Sequence, residues 1–179
     1  MGANADDGVD LRSFVRDIPD FPRAGILFRD ITPLLLSPYA LDAAVARLTR
    51  FARDLEIDLV VAAEARGFIL GGALARALGA GFVPARKPGK LPRDTVSAEY
   101  TLEYGLDALE VHADAFSGGA RVLIHDDLLA TGGTAHALAE LVTRLGGEVA
   151  ACAFLVELRA FDGRTLLAPN VVHSLIAFD

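Results

Sequence analysis

From residue 59 onward, short apolar runs alternate with segments of helical periodicity, and this alternation restricts the possible folds more than any other feature of the chain. A run at Leu59 to Ala63 is followed by a helical pattern over Phe68 to Leu78, which Gly79 closes. Phe82 to Ala85 reads as the next strand, and Val122 to His125 as another. A helix over Thr134 to Leu145 then stops at Gly146, and Val149 to Leu155 follows as a strand. Strands that are apolar throughout and joined by helices are parallel strands buried on both faces, so the fold class is α/β with an open, mostly parallel sheet. With 179 residues and 53% hydrophobic content, the chain builds one core, and residues 1–179 are expected to form a single domain.

The remaining segments are less regular. Residues 1–9 are small and acidic and read as a flexible tail, whereas Leu11, Phe14, Val15 and Ile18 have the spacing of a short amphipathic helix. Residues 20–36 carry prolines and a glycine among aromatic and aliphatic residues, which predicts a packed, non-repetitive segment. Ser37 before Pro38 is an N-cap with proline in the first turn, and the apolar face from Leu41 predicts a helix to about Leu55. Between Arg86 and Asp114 the pattern breaks into short alternating runs, Ala98 to Glu103 and Leu109 to His112, as in a flap built on a β-excursion.

Several function classes are excluded by simple arithmetic. The apolar runs fall far short of the roughly 18 residues of a membrane span. The N-terminus is acidic where a secretory signal would be basic, so a cytoplasmic protein without a membrane partner is expected. Cys152 is the only cysteine, which rules out an internal disulfide and a zinc cluster. A net charge of -7 with no basic run argues against nucleic acid and for small-molecule substrates. His112, His136 and His173 stand alone and read as surface or packing residues.

The richest chemistry lies in RVLIHDDLLATGGTA, residues 121–135. An apolar strand runs into Asp126 and Asp127, then through Ala130 into the turn Thr131-Gly132-Gly133-Thr134 and a helix. At the carboxyl edge of an open sheet, glycines that aim consecutive N–H groups inward at a helix start suit a phosphate dianion, with the threonine hydroxyls as further donors. Ionised aspartates accept only, which suits the two hydroxyls of a ribose diol. A second strand-to-helix junction reads AEARGFILG, with Glu64, Arg66 and Gly67 in the turn, where amides and a guanidinium could grip a pyrophosphate. Of 17 lysines and arginines only Lys87 and Lys90 are lysines, and both lie in RKPGKLP beside Arg86, a pairing that points to pyrophosphate oxygens.

DDLLATGGT resembles the 5-phosphoribosyl-1-pyrophosphate (PRPP) signature of the type I phosphoribosyltransferases. FPxxGxxFRDITPL over Phe21 to Leu34, AEARGFILG, YTLEYG over Tyr100 to Gly105, and LVELxxxxGRxxL over Leu155 to Leu167 resemble the adenine-specific members of that family, in the order expected. The resemblance implies a Rossmann-like core, a small N-terminal hood at residues 10–36 and a flexible catalytic loop at residues 86–105. It implies ribose and 5-phosphate contacts from Asp126, Asp127, Ala130, Thr131, Gly132, Gly133 and Thr134. Pyrophosphate contacts are carried to Glu64, Ala65, Arg66, Gly67, Arg86, Lys87 and Lys90, and adenine contacts to Leu27, Phe28 and Arg29. Glu103 and Arg66 are the catalytic candidates, Glu103 for proton management at adenine or for stabilising a sugar cation. The implied reaction is adenine plus PRPP to AMP plus pyrophosphate in purine salvage, with Mg2+ carried by PRPP near Asp126 and Asp127, in a homodimer. A transferase for another purine base and a non-catalytic purine- or PRPP-binding regulator are the alternatives. His125 replaces the aliphatic residue usual before the aspartate pair and is expected to be a partly buried strand residue.

Overall fold

The computed structural model describes residues 8–102, 105–116 and 118–179, which form two compact units, one ending at Arg47 and the other spanning Leu48–Asp179. In the first unit a 3-10 turn, Leu11–Phe14, precedes a hairpin of β1 (Arg16–Pro19) and β2 (Leu27–Asp30), antiparallel from Arg16↔Asp30 to Pro19↔Leu27. The amphipathic helix expected from Leu11 to Ile18 is therefore cut short. Asp10 holds the Arg12 amide through its carboxylate (3.1 Å) and the Ser13 hydroxyl through its carbonyl (2.7 Å), and the backbone from Arg16 pairs with β2 instead of continuing the turn. The segment expected to be non-repetitive contains β2 and a one-turn helix α1 (Thr32–Leu36). Asp30 starts that helix by accepting from the Thr32 amide (2.9 Å) and hydroxyl (2.7 Å), with Pro33 in the first turn. Helix α2 (Pro38–Ala52) follows, opened by the Ser37 hydroxyl on the Ala40 amide, and a 3-10 turn at Arg53–Leu55 completes the run to Leu55.

The second unit is built on β3 (Leu59–Ala63), α3 (Gly67–Leu78), β4 (Gly81–Ala85), β5 (Thr95–Leu102), β6 (Gly105–His112), β7 (Arg121–Leu129), α4 (Gly133–Arg144), β8 (Glu148–Leu158), α5 (Gly163–Leu167) and β9 (Val172–Phe178). Five of these strands form one parallel sheet in the order β4-β3-β7-β8-β9. After β3 the chain turns outward to β4, and it then returns to β7 on the other side of β3. The strand order reverses between β3 and β7, and in such sheets ligands bind at the carboxyl ends flanking that point.

Both faces of the sheet are covered, which is why its strands read as unbroken apolar runs. Val60, Leu123, Ala151 and Ala153 pack with Leu48, Ala52 and Leu74 on one face. Val61, Ile124, Cys152 and Phe154 pack with Leu138 and Leu141 on the other. Truncating Phe154 or Leu138, neither of which is exposed at all, would cost about 2–5 kcal/mol. Strands β5 and β6 pair from Thr95↔His112 to Leu102↔Gly105, longer than the two runs expected from sequence. Ala98, Leu109 and Val111 are buried in the second of these clusters, and Arg144 of α4 donates to the Ser97 carbonyl (2.9 Å).

Candidate functional site

The aspartate pair lies within β7 rather than after it, because the strand stays paired with β8 through Asp126↔Phe154 and on to Leu129↔Glu157. Beyond Leu129 the chain bends into the loop 130–132. Gly132, at φ +85°, occupies the left-handed region that a side chain disfavours and serves as the N-cap of α4. A cavity of about 220 Å³ opens here, lined by Arg66, Asp126, Asp127 and the residues of the loop and first helical turn, Ala130 to Ala135. The cavity thus brings together the seven residues expected to hold ribose and phosphate.

Arg66, the last residue before α3, reaches this cavity from the neighbouring strand and places its Nε 3.1 Å from Asp127 Oδ2. Gly67 explains how the two loops approach so closely. A Cβ there would stand 2.9 Å from Asp126 Oδ1 and 3.5 Å from the Ala62 Cβ, so the space a side chain would fill belongs to the Asp126 carboxylate. At Gly71 a Cβ would lie 2.9 Å from that of Ala62, so α3 rests on a residue that must itself be small. The Glu64–Ala65 peptide bond of this turn is cis.

Burial pushes the Asp126 carboxyl well above its usual range, and the charge of Asp127 pushes it the same way. Asp127 is raised by burial too, against the opposing pull of Arg66. Two carboxylates this short of solvation favour a cation or hydroxyl donors arriving from a ligand, and their oxygens suit Mg2+, which takes hard oxygen ligands. Among the described residues no group of three or more His, Cys, Asp or Glu side chains is arranged to hold a metal ion.

At the end of β4 the pyrophosphate candidates gather around Glu64. Its carboxylate accepts from Arg86 Nε (2.8 Å) and from the Lys87 amide (2.7 Å), contacts that outweigh burial and lower its pKa. Glu64 therefore ties the Arg86 guanidinium and the Lys87 backbone to the turn after β3. Arg86 also donates to the Lys90 carbonyl (3.0 Å). Lys87 forms an ion pair with Asp107 of β6. Burial alone would raise the Asp107 carboxyl, but Lys87, the Ala108 amide and the Tyr100 hydroxyl together lower it. Tyr100 donates to Asp107 (3.1 Å), its partner across the β5–β6 hairpin. Sequence reasoning missed Asp107. The available signal was its position directly across the hairpin from Tyr100. Glu103 lies outside the described residues.

In the first unit, Leu27 is half-exposed and Phe28 packs edge-on against Phe21 at a centroid distance of 5.1 Å. Arg29 pairs with Asp17 across the β1–β2 hairpin. His125 is fully buried, not partly, and its Nδ1 bonds with the Ala153 carbonyl at 2.8 Å. Burial pushes its pKa down to about 4, so the imidazole is neutral and serves the strand packing.

The phosphoribosyl transferase domain family matches residues 38–167. The adenine phosphoribosyltransferase of Thermotoga maritima is 58% identical over 170 residues, which cover 95% of this chain and 98% of that one. Among solved structures, the adenine phosphoribosyltransferase of Thermoanaerobacter pseudethanolicus superposes with a TM-score of 0.91 at 52% identity, covering 94% of this chain and 98% of that one. The Giardia lamblia enzyme complexed with 9-deazaadenine gives 0.90 at 39% identity, over 95% and 97% of the two chains.

Proposed function

This chain belongs to the phosphoribosyl transferase domain family and within it to the adenine phosphoribosyltransferases, and from that premise we infer that it joins adenine to PRPP, making AMP and pyrophosphate. The observation that supports the reading most directly is the pairing of Arg66 with Asp127 across one cavity, which unites a pyrophosphate turn after β3 with a phosphate turn after β7. A ribose phosphate with a diphosphate leaving group needs two such anion grips on either side of a diol acceptor.

In this reading the amides and hydroxyls of Thr131 to Thr134 bind the 5-phosphate, and Asp126 and Asp127 accept from the ribose hydroxyls. Arg66, Arg86, Lys87 and Lys90 neutralise the pyrophosphate and the Ala65 and Gly67 amides donate to it, with Glu64 fixing Arg86 and the Lys87 amide. Leu27, Phe28 and Arg29 supply the adenine contacts. The glycosidic N–C bond forms as the C–O bond to pyrophosphate breaks, and adenine loses a proton. Charge builds on the sugar during that exchange, and fixed carboxylates nearby stabilise it. Glu103 takes the adenine proton or faces the sugar cation. When bound with PRPP, Mg2+ would be held by Asp126 and Asp127 and would supply charge neutralisation for the leaving group. The chain is assigned to the cytoplasm as a homodimer, and light scattering on the purified protein tests the assembly.

A spectrophotometric assay with PRPP and Mg2+, run with adenine, hypoxanthine and guanine in parallel, tests the whole reading. Turnover of adenine alone is expected. Turnover of another base would shift the assignment to a different purine transferase, and binding without turnover would make the chain a regulator. Glu103→Gln should lose turnover, and a rate within a few-fold of the parent would remove Glu103 from the chemistry.

A further inference from the structure

The stretch LVELxxxxGRxxL has no ligand contact assigned above, yet it meets the phosphate loop from behind. Glu157, on β8, is only 4% exposed. Arg164, on α5, grips both of its carboxylate oxygens, Nε to Oε1 and Nη2 to Oε2 at 2.6 Å each. The same guanidinium donates to the Val172 carbonyl (2.9 Å) at the start of β9. Arg164 is thus fixed to two strands of the sheet, and with it the residue before it, Gly163.

Gly163 is pressed against the loop that would hold phosphate. A Cβ on Gly163 would collide with the Ala130 carbonyl oxygen and stand 2.9 Å from the Gly132 amide nitrogen. In the reverse direction, a Cβ on Gly132 would lie 2.7 Å from the Gly163 carbonyl oxygen and 3.3 Å from its Cα. Two glycine backbones therefore lie in direct contact, one of them the N-cap of α4 at φ +85°. The loop therefore has no room to retreat toward α5.

We propose that Glu157, Arg164 and Gly163 are positioning residues that hold the Ala130 to Gly133 amides in phosphate-binding geometry, so that this buttress sets the preference for a phosphorylated ligand. The proposal deepens the function given above and rests on the loop binding a phosphate. The bidentate pair is the anchor, because a planar guanidinium with both carboxylate oxygens engaged fixes direction as well as distance. Gly163 is the contact point, because any side chain there would push the loop forward.

Calorimetric titration of AMP and of adenosine distinguishes this role from a general stabilising one, since the two ligands differ only in the group that the loop would bind. Gly163→Ala is expected to shrink the affinity ratio of AMP to adenosine by about tenfold or more, the scale on which small displacements of a binding group act. Adenosine binding should stay within about twofold, the KM for PRPP should rise, and kcat at saturating PRPP should move less. Arg164→Met should shrink the ratio in the same direction, and Arg164→Lys should restore part of it. Should Gly163→Ala fail to fold, the two Arg164 variants carry the test alone. An unchanged AMP to adenosine ratio in folded variants overturns the buttress. A parent protein that does not favour AMP over adenosine overturns the function itself, before any variant is compared.

Discussion

Arg66 sits on the turn after β3 and Asp127 lies within β7, yet the guanidinium Nε is 3.1 Å from the carboxylate Oδ2. Asp127 is almost wholly buried and Arg66 is 39% exposed, so the cation faces the cavity while its partner is fixed beneath it. Arg66→Lys should lower kcat/KM for PRPP by on the order of 10²–10³, because a planar fork pre-aimed at developing charge is replaced by a mobile point charge. Steady-state kinetics with PRPP varied at fixed adenine checks this, and a change of less than about threefold would show that Arg66 is not part of the anion grip.

Asp126 carries the opposite kind of cost. Its pKa is raised by burial and by Asp127, so the folded protein holds this proton more tightly than the unfolded chain does. Such a group contributes stability when protonated and withdraws it as pH rises through the folded value. Once pH rises past the ordinary carboxylate range, this group therefore costs the ligand-free fold stability. Asp126→Asn should raise the melting temperature of the free protein by on the order of a few °C while abolishing useful PRPP binding, as expected where function and stability compete. Differential scanning calorimetry at pH 7.5 reads this directly, and a lower melting temperature in the variant would contradict it.

His125 gives a pH signature of the other sign. Its folded pKa is pushed down to about 4 by burial, from an ordinary value of 6.5. The unfolded chain accepts a proton that the folded one refuses, so this histidine's contribution is complete above pH 6.5 and is lost as pH falls toward 4. The loss should reach about 3 kcal/mol by pH 4. His125→Ile should remove that component from denaturant titrations between pH 7 and 4, and superimposable slopes in parent and variant would disprove it.

Lys87 and Asp107 form an ion pair that PRPP would have to compete with. Removing the charge in Asp107→Asn should lower the KM for PRPP by about two- to fivefold, the scale of a partly exposed pair. A raised KM would mean instead that Asp107 aims Lys87 at the pyrophosphate.

The central sheet was legible in the sequence because parallel strands covered on both faces leave an unambiguous apolar record, and every strand expected in it was found. The aspartates and the glycine turn were legible for a related reason, since phosphate binding by amides demands glycine at fixed points. The first unit was harder to read. The spacing of Leu11 to Ile18 suits a helix, but the Asp10 side chain and pairing with β2 settled it otherwise. Contacts between distant segments were invisible. Nothing local to Gly163 reports that Ala130 and Gly132 lie against it, and nothing local to Glu64 reports that Arg86 and the Lys87 amide will occupy its carboxylate.

The register of β3 against β7, from Leu59↔Val122 to Ala62↔His125, limits how this protein can change in length. One extra residue in β3 would carry Arg66 about 3.3 Å along the strand and turn its neighbours to the opposite face. Insertions and deletions should therefore be lethal at the carboxyl rim and harmless at the far rim, where Gly118–Gly119 and Gly146–Gly147 make the turns. A library of single-residue insertions, selected for growth on adenine as the sole purine source, would display that polarity as a map of survivors.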